Sequence, residues 1–233
     1  STETGRRVMA AAAAHVKRLT LELGGKNAQI VYPDADLDRA AQGILLGAFL
    51  NQGQVCTAGS RIIVHRDVAG ALKERIGALL PRLRIGDPFE SDTQMGTLVS
   101  RAHFDRVRGY VELAYREGGR LICGGQPVNV PRYPNGLFMA PTLLEGVDPD
   151  GRVANEEVFG PLATLWEWDD EDRMLARVNS VTQGLAAGVW TRDLTRAHKA
   201  TRAVQTGRVW VNCYNLFPSG AAFGGSKASG FGR

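Results

Sequence analysis

The sequence predicts an α/β fold, and three observations carry that prediction. Short apolar runs alternate along the chain with longer segments whose apolar residues recur at helical spacing. Gly, Pro and Asp cluster at the joints between them. The length of 233 residues, 44% of them hydrophobic and 22% charged, suits one large domain or two small ones with a sizeable core. Alternating strands and helices are the pattern of a sheet layered with helices.

Residues 2–15 read as an Ala-rich helix that starts at Ser1 or Thr2. Residues 19–23 form a short strand ended by Gly24 and Gly25, and residues 27–32 a second strand closed by Pro33. Asp34 or Asp36 then caps a helix running to about Leu50, with Leu37, Ala41, Leu45 and Phe49 on one face. Residues 61–65 make an apolar strand. A helix beginning near Asp67 carries Leu72, Ile76 and Leu80, and Gly86-Asp87-Pro88 ends that region. Ser100 is the N-cap of a helix reaching Gly118-Gly119, with Phe104, Val107, Val111 and Ala114 turned inward. Residues 124–136 are rich in turn formers and read as an irregular surface excursion. Strands are expected at 138–144, 163–168, 187–190 and 208–212, joined by helices at 171–179 and 194–205. From Ser219 to Arg233 the tail has no helical or strand period. Phe223 and Phe231, set between paired glycines, indicate an ordered loop packed on the body rather than a free end.

Composition excludes several classes. The 28 Lys and Arg against 24 Asp and Glu give a net charge of +4, and the basic residues are scattered. No Lys/Arg stripe interleaved with aromatics is present, so no nucleic-acid partner is expected; a phosphate-bearing ligand is mildly favoured. Cys56, Cys123 and Cys213 are widely spaced without a CxxC pair. That argues against a disulfide framework and a structural zinc site, and for a reducing compartment. The longest apolar stretches, residues 9–14 and 43–50, are too short to cross a bilayer, and no signal-peptide pattern is visible. A soluble cytoplasmic protein without metal or membrane partner is the expectation.

Four segments carry chemistry. Cys56 lies among Gly53, Thr57, Ala58, Gly59 and Ser60, small residues that let a substrate approach the sulfur and the adjacent N–H groups. A thiolate attacks carbonyls, but it needs a local base or a positive environment, and a cysteine in a chain is more often an inert buried thiol. Glu22 stands at the end of an apolar strand before two glycines. Facing a crevice, its burial would raise its pKa and suit a general base; facing solvent, it would pair with Lys26. Glu156 and Glu157, beside Phe159 and the Gly160-Pro161 turn, could hold sugar hydroxyls against a flat surface, or be solvated acids at a turn. The run from Ala222 to Arg233 lacks the residue order of a P-loop.

Taken together, Ser1-Thr2-Glu3-Thr4-Gly5, residues 21–27, Asn51 to Arg61, Glu156 to Pro161, Val209 to Tyr214 and Phe223 to Arg233 resemble the aldehyde dehydrogenase superfamily over essentially the whole chain. The 34-residue separation of Glu22 and Cys56 fits as well. The resemblance implies a catalytic domain with a Rossmann-like α/β sheet at residues 26–233. It implies that residues 1–25 are the last helix and strand of a cofactor-binding domain, so that the chain is a fragment. It assigns Cys56 as the nucleophile that forms a thiohemiacetal and then a thioester, and Glu22 as the base that activates the hydrolytic water. NAD or NADP is the implied cofactor, NAD being favoured, met by Ser1, Gly24, Glu157 and Phe159. Asn215, Phe217 and Phe223 match the aldehyde entrance, and Tyr214 adds to an apolar lining there. The implied partner is a small aldehyde, within a homodimer or homotetramer. A fragment of this kind would have little or no activity alone. A non-catalytic module of the same fold, a CoA-acylating relative and, least of all, a cysteine protease are the other readings. The family's CoA-acylating members usually lack the base glutamate, which Glu22 supplies.

Overall fold

A computed structural model of the chain describes residues 1–232. In chain order its elements are α1 (Thr2–Ala13), β1 (Leu21–Glu22), β2 (Ala28–Val31), α2 (Leu37–Phe49), β3 (Arg61–His65), α3 (Arg66–Leu79), α4 (Arg101–Arg116), β4 (Arg120–Cys123), β5 (Thr142–Glu145), α5 (Arg152–Asn155), β6 (Leu162–Trp168), α6 (Glu171–Asn179), β7 (Gln183–Gly184), β8 (Ala186–Trp190), α7 (Leu194–Ala203), β9 (Arg208–Val211), β10 (Ser226–Lys227) and β11 (Gly230–Phe231). Among the described residues, seven strands form one sheet in the order β4-β5-β6-β3-β2-β8-β9. Every pairing in it is parallel except that of edge strand β4 with β5.

Burial on both faces explains the near-continuous apolar strands. All four residues of β2 are buried, and alternate side chains go to opposite layers. Val31, Ile62 and Val64 pack with α2 and α3, including Ile44, Leu72 and Ile76. Ile30, Ile63 and Val189 pack on the other face with Met174 and Val178 of α6 and Ala200 of α7. A third cluster sets Phe104, Val107 and Val111 of α4 against Leu144 and Leu162. Each such Ile, Leu or Val contributes about 1.5–3 kcal/mol of burial.

Helix starts follow the capping chemistry. Ser100 accepts from the His103 N–H and Asp36 from the Arg39 N–H, so Asp36 rather than Asp34 caps α2. Asp34 instead accepts from Thr191, the Arg192 and Asp193 N–H groups and Arg196, tying the end of β2 to the start of α7.

Two expectations are corrected and one strand is added. The strand expected at 138–144 begins only at Thr142, because Pro141 has no N–H to give the ladder. The strand expected at 19–23 is the two-residue β1, which pairs with β11 outside the main sheet. Edge strand β4 lies between glycine pairs in a segment short enough to read as a turn, and it was not anticipated.

The tail is tied to the body of the domain at Ser229. Ser229 is fully buried, donates to the Gly24 carbonyl (2.6 Å) and accepts from the Gly184 N–H (2.9 Å). Its own carbonyl accepts from the Leu23 N–H, and Thr2 donates to the Ala228 carbonyl. One short segment thus joins α1, β1 and β7. Ser229→Ala leaves the Gly24 carbonyl and the Gly184 N–H without that partner; a loss of about 2–3 kcal/mol is expected in urea unfolding of the chain.

Candidate active site

Cys56 lies on the loop between α2 and β3. Asn51, Gln52 and Gly53 leave the helix in succession with φ of 50°, 56° and 67°. Only glycine is unstrained there, and a Cβ on Gly53 would sit 2.2 Å from the Gly160 carbonyl oxygen. This close approach sets the cysteine loop against the Glu157–Gly160 segment.

The loop is held from the sheet by two buried amides. Asn27, 2% exposed, donates through Nδ2 to the carbonyls of Cys56 (2.8 Å) and Ala58 (2.9 Å). Its Oδ1 accepts from the Ala186 N–H of β8 (2.9 Å). Gln29 donates to the Gly59 carbonyl (3.3 Å) and accepts from the Trp190 indole (3.3 Å). From the other side, the buried Tyr214 hydroxyl donates to the Thr57 carbonyl (2.8 Å), and the Thr57 hydroxyl donates to Asn215 Oδ1 (2.8 Å).

Cys56 is half-buried, and burial raises its thiol pKa. The carboxylates of Glu157 and Glu22 push it the same way, while the Thr57 and Cys56 N–H groups oppose. Both carboxylates are therefore within electrostatic reach of the sulfur. The charges acting on it are negative, so the resting form is the thiol, and a nearby proton acceptor is what activates it. Cys123 and Cys213 are also raised by burial, with no carboxylate acting on either.

Of the two readings of Glu22, the solvent-facing one holds. It is exposed, because the period of two in β1 buries Leu21 and turns Glu22 outward.

Glu157 takes the opposite position. Its Oε1 accepts from the Gly25 N–H (3.0 Å). A Cβ on Gly24 would lie 2.0 Å from Oε2, so glycine is required for the carboxylate to lie flat on this backbone. Burial raises the Glu157 pKa, and the Gly25 N–H, Arg106 and Lys26 pull it back. Ser1 itself is exposed and caps α1, accepting from the Thr4 N–H. Glu156 does not join Glu157 in a two-carboxylate clamp: Arg152 binds it through two nitrogens (2.8 and 3.0 Å), and Tyr110 donates to it. Phe159 has φ of 59° and a partly exposed ring. Its carbonyl lies 2.6 Å from His103 Nε2.

Aromatic rings lead outward from the loop. Trp210 contacts Tyr214 at 4.7 Å and Phe217 at 5.5 Å, and Phe217 meets Phe223 edge-on at 5.3 Å. Phe217 is exposed, as an entrance residue would be. Tyr214 is not: at 2% exposure it props the loop rather than lining an opening. Asn215, at φ of 54°, has a buried Nδ2 with no partner among the described residues.

Sequence reasoning missed Asn27, Gln29, His103 and Arg106, whose guanidinium donates to the Glu157 carbonyl (2.8 Å). The first two were legible as amides inside an apolar strand. The helix residues gave no such signal. Among the described residues, no group of three or more His, Cys, Asp or Glu could hold a metal ion, and no helix is long and apolar enough to cross a membrane.

Fold and site define an α/β domain that presents a loop-borne thiol within electrostatic reach of two carboxylates. The model of the aldehyde dehydrogenase family matches residues 1–233, and the chain belongs to that family. It is 44% identical over its full length to a betaine aldehyde dehydrogenase of Brucella anthropi and 41% to a 4-trimethylaminobutyraldehyde dehydrogenase of Oryzias latipes. It covers 48% and 46% of those proteins, so the chain spans about half the length of the curated relatives it matches. An NAD+ complex of aldehyde dehydrogenase from Bacillus cereus superposes with a TM-score of 0.95 at 38% identity, over all of this chain and 47% of that one.

The raised thiol makes a prediction. Iodoacetamide labelling of Cys56 in the chain should climb steadily from about pH 7 to pH 9 and lag behind that of a small free thiol. Peptide mass mapping across the pH series reads this. Fast, pH-independent labelling at neutrality would contradict it.

Proposed function

We propose that the whole protein containing this chain oxidises a small aldehyde to a carboxylic acid with NAD(P)+, NAD+ being favoured, and that Cys56 is its nucleophile. The observation that carries this is the placement of a half-buried thiol on a doubly anchored loop, with Glu22 and Glu157 both acting electrostatically on it. The NAD+ complex of a relative supports the cofactor.

The residues present suit such a cofactor. Glu157 rests on the Gly24 backbone with one oxygen on the Gly25 N–H, as a ribose-binding carboxylate would. Phe159 offers a partly exposed ring beside it, and Ser1 stands at a helix N-terminus of the kind that favours phosphate. NAD(P)+, when bound, supplies the hydride acceptor. The protein's own part is to generate and orient the thiolate. Loss of the Cys56 proton allows the sulfur to add to the aldehyde carbon, giving a thiohemiacetal whose oxyanion the Cys56 and Thr57 N–H groups can meet. Cys56 next carries the acyl group as a thioester. Glu22 takes a proton from the water that releases the acid, and its exposure gives it direct access to solvent. The presence of Glu22 favours water over CoA as the acyl acceptor.

Phe217, Phe223 and Asn215 are assigned to the aldehyde entrance. Residues 1–25 are assigned to the end of a cofactor-binding domain and residues 26–233 to the catalytic domain. The position of α1 and β1 outside the main sheet supports this division. A cytoplasmic homodimer or homotetramer is the proposed state of the whole protein.

The test follows absorbance of reduced cofactor with aliphatic, aromatic and trimethylammonium aldehydes. Turnover is expected from the whole protein, and little or none from the 233-residue chain alone. Cys56→Ala should lose at least about a thousandfold in kcat/KM. Glu22→Gln should lower kcat by about a hundredfold or more and reveal a burst of reduced cofactor before slow thioester release. Wild-type turnover that survives in Cys56→Ala would overturn the proposal.

A further inference from the structure

Lys26 follows Gly24 and Gly25 directly and is only 2% exposed, an unusual place for an ammonium group. Its Nζ donates to the Val153 carbonyl (2.8 Å) in the one-turn helix α5. The start of that helix is fixed from α4, because Glu117 accepts from the Arg152 (2.8 Å) and Val153 (3.1 Å) N–H groups. Glu156 and Glu157 follow α5 without a break. Three consecutive residues therefore grip one segment: Gly24 by close approach, Gly25 by its N–H and Lys26 by its ammonium.

The charges around Lys26 come from three segments. Arg61 of β3 faces it as a like charge, and the Glu157, Glu156 and Glu117 carboxylates attract it. Arg61 gives its own donors to the Lys26 (2.8 Å), Val178 (2.9 Å) and Arg177 (3.3 Å) carbonyls. Glu156 is held by Arg152 and Tyr110, and Glu117 by the start of α5. Glu157 faces the cysteine loop with its side chain on the Gly25 N–H. Burial and Arg61 bring the Lys26 pKa down to about 7, while Lys26 in turn lowers that of Glu157.

We infer that Lys26 is a positioning residue for the cofactor site: its buried ammonium fixes α5 through the Val153 carbonyl and keeps the adjoining Glu157 in the anionic form that accepts a ribose hydroxyl. The inference rests on the proposed role of Glu157. Lys26 touches neither aldehyde nor cofactor; it acts through the carboxylate.

The experiment measures NAD+ dissociation constants by tryptophan fluorescence in the whole protein at about pH 6 and about pH 8, for wild type, Lys26→Met, Glu157→Gln and the double variant. Lys26→Met should weaken NAD+ binding about tenfold at the lower pH and less at the higher. Without the ammonium the Glu157 pKa rises, so the carboxylate is lost as pH falls. In the Glu157→Gln background the same substitution should add little, and the aldehyde KM should stay near wild type. Equal weakening at both pH values, or full additivity with Glu157→Gln, would reduce Lys26 to a packing role and overturn the inference. Weakening by Glu157→Gln with none by Lys26→Met would overturn it while the Glu157 assignment stands. No weakening by Glu157→Gln would overturn both. A second measurement does not depend on Lys26→Met folding: the Lys26 13Cε shift should titrate at lower pH in Glu157→Gln than in wild type, and an unchanged titration would contradict the coupling.

Discussion

The site depends on one buried amide. Asn27 immediately precedes β2, an interior strand of the sheet, and its side chain meets the backbone of two other segments at once: the Cys56 and Ala58 carbonyls and the Ala186 N–H. Each of these groups would otherwise be a buried polar atom costing about 1–3 kcal/mol. Saturating them with a single rigid donor–acceptor group fixes the cysteine loop to the start of the fully buried strand β2. Gln29, two residues on and on the same face, repeats the device at Gly59 and Trp190. The loop can therefore carry three successive left-handed residues and still hold one conformation.

The second constraint is electrostatic. The Cys56 thiol is acted on by carboxylates rather than cations, so it is a protected thiol at rest that depends on proton removal for reactivity. Opposed to this, the Gly24–Gly25–Lys26 turn gives the half-buried Glu157 the Gly25 N–H as a hydrogen-bond donor and the Lys26 charge through space. The same turn lies between Glu22 and Asn27 in sequence. A six-residue stretch, Glu22 to Asn27, thus contains the exposed carboxylate, the loop anchor and the grip on the Glu157 segment, and its geometry is what brings the distant Cys56 and Glu157 segments together.

Much of this was legible in the sequence. Long helices with clear apolar faces and good caps, such as those begun by Ser100 and Asp170, were readable nearly to the residue, since local propensity and burial agree there. Cys56, Glu22, Glu157 and Phe159 were named from motif resemblance. Their local environments were not: Glu22 is exposed because β1 pairs with the remote β11, and Glu156 parts from Glu157 because Arg152 and Tyr110 claim it. Tyr214 was misplaced for the same reason, its partner Thr57 being 157 positions away. Such long-range pairings decide which way a side chain faces, and no window of sequence contains both partners.

The central claim is that Cys56 forms the covalent acyl intermediate. The most direct measurement is intact-mass and peptide mass spectrometry of the whole protein, as Glu22→Gln, quenched during oxidation of an aldehyde. The account predicts a mass increase equal to one acyl group, located on the peptide that contains Cys56. Continued cofactor reduction with no adduct on that peptide, or with the acyl group on another residue, would contradict it.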